Sequence, residues 1–363
     1  MRRRDWLTGT GSLAAATFAP APARGEGSGL ATEVVRLRLR HTWTTTMSSS
    51  EYRDTLYVRL RREGTTGLGE GAPIVRYQES AVEGQKALDG LRAFLEGADP
   101  WARVRIMDEL GRRMPGQYAA KAAVDIALHD WAGLRLGTPV YRLLGLDRAD
   151  APVTTFSIGI DTPEMTREKV REASPFPVLK IKVGLDTDEP TIEAVRSVTK
   201  KPLRVDANEG WKDKDLALRR IKWLETQNVE LIEQPMPADM LDEQRWLHSK
   251  VSLPIFADES CLRLGDIPRI ADAYDGINVK VDKAGGLLAA LRMIDAARAH
   301  GLKVMLGCMV SSSVAITAAA HLSPLVDYAD LDGNLLLKHD PFTGVRVRDG
   351  YLELPREAGL GVH

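Results

Sequence analysis

Cysteine is scarce in this chain: Cys261 and Cys308 are the only two in 363 residues, too few for the disulfide framework that staples small secreted domains. An excess of one charge sign is also missing. Forty-nine Lys and Arg stand against 50 Asp and Glu, the formal net charge is −1, and no basic block occurs, which excludes an electrostatic nucleic-acid binder. No stretch beyond the opening segment approaches the apolar length of a membrane span. Neither nucleic acid nor membrane is therefore expected as a partner. Internal repeats and low-complexity linkers are likewise missing after that segment. What is present is a long chain with 27% charged residues, enough for one large domain and a smaller attached one.

The first residues differ from the rest. Arg2-Arg3-Arg4-Asp5-Trp6-Leu7, a weakly apolar Ala-rich stretch and the small-residue pattern Ala21-Pro22-Ala23 follow in the order of a twin-arginine export signal. Residues 1–29 are expected to be that signal and the protein to be exported, periplasmic by destination; a basic tail on a cytoplasmic protein is the alternative. Residues 32–74 alternate apolar and polar, as in Glu33-Val34-Val35-Arg36-Leu37-Arg38, and read as an antiparallel sheet with one wet face, followed by Gly67-Leu68-Gly69-Glu70-Gly71 read as a turn. From Gln78 to about Gly137 the apolar spacing is helical. Strands followed by helices make an α+β capping domain over residues 30–150.

After Pro152 the pattern changes to short β-rich runs alternating with amphipathic helices: Val153–Ile160, Val178–Val183, Leu203–Asp206, Leu231–Glu233, Ile255–Asp258, Gly276–Lys280, Lys303–Leu306 and Val326–Asp330. Eight runs with seven helical stretches between them fit an α/β fold, a TIM-type barrel over residues 151–333, with a tail (334–363) returning to the first domain. An open doubly wound sheet is the rival, but no Gly-rich phosphate-binding turn follows the first run. The two cysteines follow strands that are not neighbours in such a barrel, so a disulfide is not expected.

Three carboxylates end three successive runs: Asp206 in LRVDANEG, Glu233 in ELIEQP and Asp258 in PIFADES. Lys180 and Lys182 precede them and Lys280 follows, at intervals of 22 to 27 residues, each long enough for a strand, a loop and a helix. Ends of successive barrel strands meet in one mouth. Each acid alone reads as a helix cap or turn residue; three at one phase of the repeat read as oxygen ligands for one divalent cation, magnesium, one per subunit. Lys180 and Lys182 share a strand face. If that face is inward, adjacent ammonium groups and a cation are expected to lower their pKa into a usable range for a base. Bases on opposite sides of a metal-bound carboxylate define 1,1-proton transfer through an enediolate, whose product is the epimer.

The motifs KIKVG at 180–184, DANEGW at 206–211, EQP at 233–235, ADES at 257–260 and NVKVDKAGG at 278–286 together resemble the enolase superfamily, muconate-lactonizing-enzyme subgroup, over residues 32–363. The resemblance implies a modified (β/α)7β barrel under an α+β cap, magnesium on Asp206, Glu233 and Asp258, Lys182 and Lys280 as the acid/base pair, and Lys180 as their electrostatic neighbour. Asp330 and Asp332, in Asp330-Leu331-Asp332-Gly333, look like the paired aspartates with which dipeptide epimerases hold a substrate α-ammonium group; a turn with capping acids is the structural alternative. Cys308, Met309 and Ser311 would line the pocket, with Ser311 standing where many members of the family carry glutamate. That departure and the Thr- and Ser-rich loop Thr42–Glu51 leave the second side chain of the substrate open. The expectation is a dipeptide epimerase of Ala-Glu or related type acting on a small-molecule substrate, assembled as a homo-oligomer. An N-acylamino-acid racemase, succinylbenzoate synthase or cycloisomerase, and a non-catalytic periplasmic peptide-binding protein, are the alternatives.

Overall fold

The computed structural model describes residues 28–363; the arginine cluster and cleavage pattern of the expected export signal lie outside the described residues. The chain opens with three antiparallel strands, β1 (Gly29–Thr44), β2 (Ser49–Arg62) and β3 (Thr65–Gly71), in the order β1-β2-β3. Five helices follow: α1 (Ala81–Gly90), α2 (Arg92–Gly97), α3 (Arg103–Arg113), α4 (Tyr118–Leu136) and α5 (Val140–Leu143). Helix α4 is buried almost all round over Ala119–Gly133, because the small sheet covers one side and the barrel the other.

The segment Gly67–Gly71, expected to be a turn, is instead the body of β3. Its glycines answer to helix packing rather than to chain reversal. A Cβ at Gly67, Gly69 or Gly71 would stand about 2 Å from the carbonyl oxygen of Ala127, Ala123 or Ala119 respectively. Alternate residues of the strand thus lie against every fourth residue of α4, and only hydrogen fits between the two backbones. The reversal itself is made by Glu63 and Gly64, both at positive φ.

Eight parallel strands then alternate with helices: β4 (Phe156–Ile158), β5 (Leu179–Lys182), β6 (Leu203–Asp206), β7 (Val229–Glu233), β8 (Ile255–Ala257), β9 (Gly276–Lys280), β10 (Lys303–Gly307) and β11 (Tyr328–Asp330). Seven connections carry α6 (Pro163–Glu172), α7 (Asp188–Arg196), α8 (Lys214–Leu224), α9 (Leu241–His248), α10 (Ile267–Ile270), the pair α11 (Val281–Ala284) and α12 (Leu287–Ala299), and α13 (Ser313–Ala320). A parallel bridge between Thr154 and Ala329 joins the last strand to the first. This is the (β/α)7β arrangement: after β11 the chain forms a hairpin, β12 (Arg346–Arg348) with β13 (Tyr351–Glu353), in place of an eighth helix. The chain after β11 also meets the first domain. The Lys338 amide donates to the Arg38 carbonyl of β1, and the Leu360 amide to Asp130 of α4.

Leu231, Phe256 and Met305, with Tyr328 against them, plug the barrel interior. A Cβ at Gly276 would meet the Phe256 ring at 2.4 Å, so that glycine makes room for the plug. Above it the inward positions switch to charged side chains.

Candidate active site

Lys180 and Lys182 both point inward, 2% and 7% exposed, as two residues of one strand phase must. The Lys180 ammonium donates to Glu233 Oε2 at 2.6 Å and Asp330 Oδ2 at 2.7 Å, with Asp206 Oδ2 at 3.1 Å. Lys182 donates to the same Asp206 oxygen at 2.5 Å. Across the acids in strand order, Lys280 at the end of β9 donates to Asp258 Oδ2 at 2.7 Å. Asp206, Glu233 and Asp258 are fully buried, and one oxygen from each lies within 4.8 Å of the others. The structure therefore brings the three acids and three lysines read from the sequence into one cluster.

Four further residues complete it. Lys283, one turn beyond Lys280 on α11, donates to Asp258 Oδ1 and to the Asp258 carbonyl. Asn278, two residues before Lys280, donates to Glu233 Oε1 at 2.8 Å. Gln234 accepts from the Asp258 and Ser260 amides, both at 3.0 Å, and so fixes the loop that carries Asp258. Glu259, 7% exposed, accepts from Asn208 Nδ2 at 3.1 Å. The signal for these was the motifs themselves: Gln234, Glu259 and Lys283 stand one to three residues past the group singled out, and Asn278 two residues before it. Asn208, Glu209 and Gln234, just past the strand ends that carry Asp206 and Glu233, all hold positive φ, uncommon for non-glycine residues.

Six carboxylates (Asp206, Glu233, Asp258, Glu259, Asp330, Asp332) and four ammonium groups (Lys180, Lys182, Lys280, Lys283) are buried together, a formal deficit of two positive charges. Buried charge of that size requires compensation, and an all-oxygen donor set suits a hard divalent cation. The electrostatics follow the same map. Burial pushes Glu233 up to about 7, with Asp206 adding to the rise, and Glu259 up to about 8, with Asp258 adding. Burial also opposes ionisation of Asp258, but Lys280 and Lys283 outweigh it and hold that acid well below the carboxylate range. The expectation that its neighbours would acidify Lys180 is corrected. Burial does act to lower Lys180, yet Asp330, Glu233 and Asp206 hold it well above the usual lysine range, and Asp258 does the same for Lys280. Carboxylates, not ammonium groups, are the nearest neighbours.

Asp330 and Asp332 both reach the cluster but differ in partners. Asp330 also accepts from Thr155 Oγ1 at 2.5 Å, and Lys180 holds it below its ordinary range although burial opposes this. Asp332 accepts from the Ser157 amide, at 2.5 Å, and from the Ser157 side chain; burial and the Asp330 charge push it up to about 7. The thiol of Cys308 is raised well above its ordinary value by burial and by these two aspartates, and its sulfur lies beside Gly333. Met309 is nearly buried, and Ser311 is fully buried, donating to the Met309 carbonyl. Both cysteines are free thiols. A cavity of about 330 Å3, lined by Trp43, Phe156, Ser157 and Leu336 among others, lies beside the cluster and meets it through Ser157.

The small sheet closes the mouth from above. Thr46, in the loop between β1 and β2, donates to the Asn208 carbonyl at 2.6 Å, and Arg76 forms a two-pronged ion pair with Glu209. A buried, water-excluding charge cluster with amines on either side of a cation site can move protons at a carbon made acidic by an adjacent carboxylate.

Residues 31–145 match the mandelate racemase/muconate lactonizing enzyme N-terminal domain, and residues 164–363 the enolase C-terminal domain-like family. The chain is 44% identical over 323 residues to the L-Ala-D/L-Glu epimerase of Bacteroides thetaiotaomicron (89% of this chain, 84% of that protein). It is 42% identical over 336 residues to the L-Ala-D/L-amino acid epimerase of Pedosphaera parvula (89% and 95%). Its structure superposes on the crystal structure of the Enterococcus faecalis V583 dipeptide epimerase complexed with Mg and the dipeptide L-Leu-L-Tyr, with a TM-score of 0.87 and 32% identity over 92% of this chain and 98% of that one. With the two-domain fold and the acid–lysine cluster, these likenesses lead to one assignment: the chain belongs to the mandelate racemase/muconate lactonizing enzyme family of the enolase superfamily.

Proposed function

We propose that the protein is a magnesium-dependent dipeptide epimerase that inverts the α-carbon of the C-terminal residue. The observation that carries the reading is the opposed arrangement of amines: Lys182 sits on Asp206 and Lys280 on Asp258, at the two ends of the acid series. Magnesium held by Asp206, Glu233 and Asp258 would supply positive charge to the substrate carboxylate and make its α-proton more acidic. Lys182 and Lys280 then take the proton from one face and return one to the other. Lys180, clamped by Glu233 and Asp330, stays a fixed positive charge beside them. Asp332, in no lysine ion pair among the described residues, is the group left to receive the substrate's α-ammonium.

That last role favours a free dipeptide over an N-acyl amino acid, which carries no ammonium to pair. Cys308, Met309 and Ser311, with the loop Thr42–Glu51, are proposed to bound the substrate side chains. The loop contains no Lys or Arg, so the test set has to include uncharged second residues as well as Ala-Glu. Incubation of the protein with magnesium and a dipeptide library in deuterated water is expected to place deuterium at the α-carbon of the second residue. Absence of exchange with every dipeptide would contradict the reading.

We further propose export through the arginine-led N-terminal segment, checked by sequencing the N-terminus of protein recovered from the periplasm, and assembly into a homo-oligomer, checked by light scattering. The divisions at residues 30, 151 and 334 are proposed as domain limits, checked by limited proteolysis.

A further inference from the structure

Two buried acceptors in the cluster have no donor. Asn208 Oδ1 and Glu259 Oε2 make no hydrogen bond among the described residues, although both side chains are more than nine-tenths buried. They belong to one pair, since Asn208 Nδ2 donates to the other Glu259 oxygen at 3.1 Å. An unpaired buried acceptor costs roughly 1–3 kcal/mol, so two in contact are expensive for the fold alone. Asn208 also pays in backbone, at φ 41°, with its carbonyl held by Thr46 and its amide donating to Asp206 Oδ1 at 2.9 Å. These ties aim the side chain from the end of β6, while Glu259 follows Asp258 at the end of β8. The pair therefore flanks β7 and Glu233, and in barrel order lies opposite β11, which carries the proposed ammonium anchor.

We infer that Asn208 and Glu259 accept hydrogen bonds from a water in the coordination shell of the cation held by Asp206, Glu233 and Asp258, and are positioning residues for the metal centre. The inference rests on the metal reading above. Three carboxylates fill half of an octahedral shell, and magnesium keeps water in much of the rest. Such a water has two hydrogens to donate, and the pair has two free oxygens. Shells of this kind orient a metal and tighten its binding.

The test uses Mn2+ as probe, with free Mn2+ counted by electron paramagnetic resonance and no turnover required. Asn208→Gly suits the positive φ and removes one acceptor; Glu259→Gln keeps the shape and replaces the free oxygen by a donor. Each is expected to weaken Mn2+ binding by roughly 10- to 100-fold. The double variant should bind no more than about threefold more weakly than the worse single one, because both acceptors serve one water. In chelator, Glu259→Gln should leave the unfolding midpoint unchanged or higher. Either single variant binding within twofold of the parent, effects that multiply in the double, or a lowered midpoint would overturn the inference. Failure of the parent to bind Mn2+ would overturn the metal reading itself and this inference with it.

Discussion

Two groups of buried acids in this molecule differ in their partners. Along the seam between the small sheet and the barrel, Glu70 accepts from Ser312 and Ala315 at the start of α13, Asp125 from the Leu288 amide at the start of α12, Asp282 from the Ala72 amide, and Asp130 from the Leu68 and Leu360 amides. Their bonds go mostly to backbone N–H groups, two of them at helix starts where such groups are otherwise unpaired. No Lys or Arg ion pair reaches these four among the described residues. In the mouth, acids meet ammonium groups and one another. Burial alone marks neither set as functional; a carboxylate spent on backbone amides holds the fold, whereas one facing mobile charge is available for binding and chemistry.

The largest effect should come from the amines. Lys182→Ala or Lys280→Ala is expected to lower epimerisation by about 10^2- to 10^4-fold, measured as the rate of optical-rotation change, while circular dichroism stays native. Next, Asp332→Asn should raise KM for a dipeptide by roughly 30-fold or more, the cost of leaving a buried ammonium unpaired. With Asp332 pushed up to about 7, the parent's KM should also rise as pH falls below that value, because the protonated acid cannot pair with a cation. An N-acyl substrate would show neither effect.

The seam gives stability signatures instead. His321, fully buried, accepts from the Tyr141 amide and donates to the Leu360 carbonyl. Burial lowers its pKa from 6.5 to about 4. The unfolded chain therefore binds the proton first, and stability present above pH 6.5 is lost as pH falls toward 4, by about 3 kcal/mol for this group. Denaturant unfolding at a series of pH values would measure it, and His321→Gln should flatten the slope in that window. Smallest of all, Glu70→Gln should cost about 2 kcal/mol of stability, since the new amide faces backbone donors, and leave kcat within about threefold. A large loss of kcat there would erase the distinction between seam and mouth.

Much of this was legible in the residues. Strands covered on both faces read as apolar runs, and Lys180, Asp206, Glu233 and Asp258 stand out because each breaks or ends such a run at the same phase. The glycines of β3 misled because glycine marks both a turn and a close backbone approach, and α4, some fifty residues away in the chain, decides between them. Lys283 was hidden in a four-residue helix too short to show a period. The charge state of Lys180 depends on Asp330, 150 residues distant, a proximity that only the closed barrel creates.

Two amines must serve opposite faces of one carbon, and exchange in the single variants tests that most directly. With the two epimers of a dipeptide offered separately in deuterated water, Lys182→Ala is expected to retain α-deuterium exchange for one epimer and Lys280→Ala for the other. Loss or retention of exchange for the same epimer in both variants would contradict the opposed arrangement.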